Sequence, residues 1–283
     1  MLRTFKLDDY SIVRYLEYQA MTSHRYAIIE PSLFDDLLVY VYQQNPVLEW
    51  DYLLGHELKK CSPIIIKLTS NESHYDFLNR FIAQPSGSLF SSSLDFKAFQ
   101  QQALYAYTII KESGNKATLR FFDPRVISSV LIALKPQQRD QMCNGVLSIQ
   151  WYQYDSWFVF QNSVSSNQVK ERLSFEADSI VIDNTQLALM DEIRKSQLLG
   201  DISHQYQPVL PPPHQAMDIL LDVDKYNPTM AQEYEGYLRM RIDTGCLEKE
   251  PQWMSIKLEQ SDTSLTERIK GIHQQVKSQE LIS

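Results

Sequence analysis

Cysteine is scarce in this chain: Cys61, Cys143 and Cys246 stand far apart and never in a Cys-x-x-Cys pair. Three thiols so placed make neither a disulfide framework nor a zinc site, and they suit a reducing compartment, with free buried thiols as the default. Glycine is rare too, eight among 283 residues, and no phosphate-cradling glycine loop or Gly-x-Ser-x-Gly nucleophile turn occurs. A surplus of basic charge is missing: the formal net charge is −8, which argues against a general nucleic-acid binder and against a polybasic membrane anchor. No apolar run approaches the roughly 18 residues that a membrane-spanning helix needs. Met1 to Tyr10 carries Arg3, Lys6, Asp8 and Asp9 and lacks the apolar core of a secretory leader. These absences predict a cytoplasmic protein whose partner is a protein or a small molecule.

Recognisable chemistry is equally thin. His24, His56, His74, His204, His214 and His273 are never three or four residues apart, so no helix presents two of them to one metal. The carboxylate pairs Asp8-Asp9, Asp35-Asp36 and Asp222-Asp224 lie in helical or polar surroundings and read as solvated faces rather than acid/base pairs. The expectation is a chain that is not an enzyme and holds no metal or cofactor.

What is present is an ordinary folded composition, 43% hydrophobic and 22% charged. Spacing predicts a helix over Asp8 to Met21, a strand at Tyr26 to Ile29 and a helix over Leu33 to Gln44 capped by Ser32. Pro63 to Leu68 is a β-branched run without alternation, the best candidate for the centre of a sheet. A helix over Ser70 to Ala83, a strand at Leu89 to Ser92 and a helix capped by Ser92 or Ser93 follow. Val146 to Tyr152 and Ser156 to Gln161 read as a hairpin, and Ile180 to Ile182 as a short strand. Beyond a polar connection at Ser163 to Ser179 the period becomes helical. One helix carries Leu187, Met190 and Ile193, a second Ala216 to Val223, a third starts at Asn227-Pro228, and a last one opens with the capping box Ser264 and Glu267. Pro211-Pro212-Pro213 is either a stiff spacer or a polyproline ligand. The fold class predicted is α+β: an N-terminal mixed α/β lobe, residues 1–170, with a central sheet flanked by helices, and a C-terminal helical lobe, residues 171–283.

The most legible stretch is Leu119-Arg120-Phe121-Phe122-Asp123-Pro124-Arg125-Val126. Tyr105 to Lys111 and Leu119 to Phe122 flank the turn signal Ser113-Gly114-Asn115 and predict a hairpin. Asp123 has the short carboxylate of a helix cap, and Pro124 suits the first helical position, where a missing N–H loses no bond. Val126, Ile127, Val130, Leu131 and Leu134 then share a helix face until Pro136.

The string LRFFDPRV, the apolar helix after it, a short helix Pro136 to Cys143 and a Trp-bearing strand after Gly145-Val146 resemble the signature of the type VI secretion effector chaperones, the Tap or Tec adaptor family. The likeness runs from about Tyr26 to Trp151 and more loosely through the helical part. The family's opening strand commonly ends in Asp, whereas this chain has Glu30, whose plain reading is a solvated strand end. The resemblance implies a non-catalytic cytoplasmic adaptor that binds a type VI secretion effector and loads it onto the VgrG spike protein, with Phe121, Phe122, Asp123, Pro124 and Arg125 as the signature.

Those signature residues also have a plain structural reading, in which Asp123 caps its helix and Arg125 reaches an acidic neighbour or a carbonyl across the junction. A buried Arg is costly to strand, so even this role predicts that Arg125→Ala misfolds rather than merely loses binding. Tyr206, Tyr226, Tyr234, Tyr237 and Trp253 are the candidates for partner binding, because aromatics with a polar tip favour interfaces, while core packing is the alternative for each. Trp151 and Trp157 carry the same two readings. The competing functions are a small-molecule enzyme with a site near Asp123 and Arg125, and an immunity-type interaction protein.

Overall fold

The computed structural model describes residues 7–18, 24–34, 36–44, 48–68, 79, 83–153, 156–162, 179–205, 210–260 and 262–280. The chain divides into two compact units, one formed by Phe5–Asp191 and one by Met1–Thr4 with Glu192–Ser283. The first is a mixed α/β unit and the second is helical.

The first unit is built on a seven-stranded sheet with spatial order β1-β9-β8-β5-β2-β4-β3, in which every pairing is antiparallel. Its strands are β1 (Ile12–Tyr15), β2 (His24–Ile29), β3 (Trp50–Tyr52), β4 (Ile64–Leu68), β5 (Gly87–Ser92), β8 (Val146–Gln153) and β9 (Ser156–Gln161). A second sheet holds β6 (Thr108–Lys111) between β7 (Lys116–Thr118), antiparallel, and β10 (Ile180–Ile182), parallel. The helices are α1 (Leu37–Gln44), α2 (Phe96–Tyr107), α3 (Pro124–Ala133) and α4 (Pro136–Met142), and α5 (Asn184–Gln205) begins here.

Alternation along β2 sorts the two faces of the large sheet. Ala27 and Ile29 join Leu89, Ile64 and Ile66 in a core with Leu37, Tyr40 and Val41 of α1. Tyr26 points the other way and stacks on Phe99 of α2, ring centroids 4.2 Å apart, as side chains one residue apart on a strand must. The middle strand is β5, buried at every residue. A Cβ on Gly87 would lie 2.1 Å from the Ile28 carbonyl oxygen, so only glycine permits this β2–β5 approach.

Several expectations change. Ile12–Tyr15, expected inside a helix, is the edge strand β1. Ser11 at φ 58° breaks any helical run, and pairing with β9 decides the state of a segment too short to specify one. Ser32 caps no helix; its hydroxyl donates to Glu30 Oε1, and α1 starts only at Leu37. The Pro63–Leu68 run does give β4, but one place from the sheet edge rather than at its centre. Asp95, not Ser92 or Ser93, caps α2, accepting from the Ala98 N–H at 2.8 Å. Tyr105 to Tyr107 finishes that helix. Leu119 to Phe122 is irregular chain passing into a turn at Phe121–Phe122 instead of a strand, because the ladder ends where the Leu119 N–H bonds the Tyr107 carbonyl. The helix expected over Ser70 to Ala83 and the Ser163 to Ser179 connection lie almost wholly outside the described residues.

The helical unit packs the later turns of α5 with α6 (Pro213–Asp222), α7 (Ala231–Asp243), α8 (Gln252–Leu258) and α9 (Leu265–Glu280) around Leu220, Tyr237, Leu238, Met240, Met254 and Ile272. Pro213 occupies the first turn of α6, so the proline run leads directly into a helix. Asn227 is left-handed and ends a 3-10 turn, and α7 starts later. There the Glu233 carboxylate accepts from the Thr229 and Met230 N–H groups. The box of Ser264 and Glu267 forms as the spacing predicts. The seven-residue α8 had no sequence signal, being too short to show a period.

Candidate functional site

Two aromatics anchor the signature before its charges act. Phe122 is fully buried and Phe121 nearly so. Phe121 packs edge-on to Phe90 of β5 at 5.8 Å and to Phe122 at 5.9 Å. The Ser88 hydroxyl of β5 donates to the Phe122 carbonyl at 2.6 Å. This pins the residue before Asp123 to the middle of the sheet. Asp123 then caps α3 as its sequence predicts, Oδ1 accepting from the Arg125 N–H at 3.0 Å with Pro124 in the first helical position.

The same carboxylate receives the Arg125 guanidinium as a fork, Nε to Oδ1 at 2.9 Å and Nη2 to Oδ2 at 2.7 Å. Arg120 approaches Oδ2 at 3.5 Å and donates from Nη2 to Glu30 Oε2 at 3.0 Å, its cation lying 5.9 Å from the Phe122 ring. Burial pushes the Asp123 carboxyl up, but the Arg125 fork, the cap N–H and Arg120 outweigh it and hold the group below its ordinary value. The hydrogen bond to Asp123 in turn raises the Arg125 value, against the opposing effect of its partial burial.

Two expectations reverse here. Arg125 is not the buried member of the pair: its side chain is 56% exposed while that of Asp123 is 3% exposed. Misfolding of Arg125→Ala as a stranded buried cation therefore does not follow. Glu30 is no solvated strand end, since its side chain is largely buried and paired with Arg120.

The tyrosine candidates fall in the helical unit around a different carboxylate. Glu250, 2% exposed at its side chain, accepts from the Tyr226 hydroxyl at 2.6 Å, from Ser255 Oγ at 3.0 Å and from the Tyr237 hydroxyl, with Lys225 Nζ at 3.0 Å. Buried Arg241 donates to Asp222 at 2.9 Å and to the Tyr237 oxygen at 2.8 Å. An open cleft of about 520 Å³, lined by Asp222, Lys225, Arg241 and Glu250, lies beside this cluster. Burial raises Tyr226 to about 12 and Tyr237 further, and Glu250 reinforces both. Tyr226 and Tyr237 thus face inward.

Tyr234 is half-buried, its hydroxyl donating to Asp224 at 3.0 Å. Trp253 is 37% exposed and has Ile256, 54% exposed, one turn away on α8. Tyr206 lies outside the described residues. Trp151 and Trp157 are core side chains of the sheet unit, 0% and 2% exposed. Spacing places Arg241 on one helix face with Tyr237, but it did not reveal Glu250 or their convergence on it, because the partners of Glu250 come from separate segments.

Of the cysteines, Cys143 is buried and raised to about 12 by that burial, Cys246 is half-buried and Cys61 is exposed, so burial is not general to the three. Among the described residues no group of three or more His, Cys, Asp or Glu side chains is gathered to hold a metal ion. No described helix is long and apolar enough to cross a membrane.

No curated protein and no solved structure matches the chain. Residues 25–141, which run from β2 into α4 and enclose the whole Asp-Pro-Arg junction, match the family described as "Domain of unknown function (DUF4123)".

Proposed function

We propose that this protein is a non-catalytic adaptor of a bacterial type VI secretion system that holds an effector in the cytoplasm and loads it onto a VgrG spike protein. The observation that carries the reading is the match over residues 25–141, in a family associated with such adaptors, together with the resemblance of the FFDPR stretch. The geometry of the junction supports binding rather than turnover. Both oxygens of Asp123 are engaged by Arg125 and the carboxylate is 3% exposed, an arrangement that suits a structural cap and ion pair. In this reading the sheet unit is the rigid base, and Trp253 with Ile256 is one outward apolar element of the helical unit available to a partner, along with the exposed Leu221 and Met230.

The test is a tagged pull-down from the native host with co-purified chains identified by mass spectrometry at low and moderate salt. Recovery of a toxin-like protein together with a VgrG-type spike is the expected result. Recovery of neither, with well-folded bait, would remove the adaptor reading.

A further inference from the structure

At the Asp-Pro-Arg junction the two acids are hidden and the two cations are not. The Asp123 and Glu30 side chains are 3% and 14% exposed, against 56% for Arg125 and 40% for Arg120. Other pairs differ in this: in Lys67 with Glu49 and Lys135 with Asp183 both members reach solvent, and Lys225 with Glu250 hides its acid but brings one exposed cation to it. The junction therefore shows solvent a positive face, although its four charges sum to zero and the chain as a whole carries −8.

The donors that remain are defined by the fork. Arg125 gives Nε and Nη2 to Asp123, so the opposite edge of its planar guanidinium, Nη1 with the outer hydrogen of Nη2, has no partner among the described residues. Arg120 gives Nη2 to Glu30 and leaves Nη1 without one, while its Nε is shielded from solvent and unbonded. Both guanidiniums contact the same Asp123 oxygen, which brings them side by side. Each is already immobilised, one by a bidentate pair and the other by Glu30 and the Phe122 face, so a ligand would not have to order them.

We propose that Arg120 and Arg125 form a preorganised receptor for a side-chain carboxylate on an acidic segment of a partner protein. A free guanidinium edge matches the two oxygens of a carboxylate in plane, and a second cation alongside favours a segment with more than one acidic residue. The receptor deepens the adaptor reading by assigning it one contact, and it rests on that reading only for what the partner is.

The experiment is fluorescence anisotropy of a dye-labelled, amide-capped polyglutamate peptide with the full chain at low salt. Polylysine serves as the opposite-charge control and inorganic phosphate as competitor. The −8 net charge repels polyglutamate in general, so binding reports a local site. Binding is expected, with affinity falling as salt rises. Arg125→Lys should weaken it by about tenfold while leaving the thermal midpoint near that of the parent, because Lys keeps the charge beside Asp123 and loses the planar edge. Arg120→Gln should weaken it as well. No binding by the parent chain, equal binding by Arg125→Lys, or displacement by phosphate at concentrations where chloride of equal ionic strength does nothing would each overturn the proposal. Capture of a secretion effector by parent and Arg125→Lys alike would overturn it and leave the adaptor reading in place. Peptide binding with no effector or spike captured from the host would support the receptor and remove the adaptor reading.

Discussion

Ser88 and Phe122 are 34 residues apart in sequence and share a 2.6 Å hydrogen bond in which the Ser88 hydroxyl donates to the Phe122 carbonyl, both residues being fully buried. This single bond joins the middle strand of the large sheet to the turn that presents Asp123. Helix α3 therefore starts from a fixed point on the sheet.

Ser88→Ala removes the donor and leaves a buried carbonyl short of a partner. The expected loss of stability is about 1–3 kcal/mol, read from urea unfolding followed by circular dichroism. A change below the error of that measurement would mean the turn is held by Phe121 and Phe122 packing alone.

Gly87→Ala should be more damaging than its one added methyl suggests. The new carbon would overlap the Ile28 carbonyl oxygen in a strand pair with no slack on either side. A cost of about 3 kcal/mol or more is expected from overpacking against backbone, and amide exchange should rise first along β2 and β5. Normal protection of those strands in the variant would contradict the close approach.

Asp123 ties stability to acid. Its folded value lies below the ordinary 3.8, so the stability it contributes is present in full above that value and is lost as pH falls through the lower, folded one. Asp123→Asn keeps a competent cap but has no charge to titrate. The variant should start less stable at neutral pH and lose less on acidification, so that the gap between the two proteins closes below the ordinary carboxylate range. A constant gap at every pH would show that Arg125 and Arg120 do not favour the ionised form.

Tyr26 and Tyr226 give the alkaline counterpart. Burial raises each from 10.0 to about 12, Tyr26 further helped by Asp95 and Glu49 and Tyr226 by Glu250. Their contribution is complete below the unfolded value and is lost as pH rises through the folded one. Ultraviolet titration of the sixteen tyrosines should show a fraction that stays protonated near pH 11 until far-ultraviolet ellipticity is lost. Ionisation of all sixteen in one step near 10, with the fold intact, would refute their burial.

The sequence alone determined the local events whose causes are local. Asp123 caps and Pro124 opens α3 because one carboxylate and one missing N–H act within a single turn, and the Ser264–Glu267 box forms for the same reason. The hairpin of β8 and β9, the helical period beyond Asp183 and the α+β class were legible because hydrophobic spacing repeats over enough residues to be read. Tertiary structure decided the rest, through contacts between residues far apart in the chain. Ile12–Tyr15 became an edge strand because β9 offered a partner, and β5 rather than β4 took the middle of the sheet because strand order depends on which edges pair. Arg125 lies outside and Asp123 beneath it because the Phe122 ring and the Ser88 bond fix which end of that pair meets water. Glu250 gathers Tyr226 with Tyr237 and Arg241, the last two one turn apart on α7, and no spacing rule encodes the convergence of these segments.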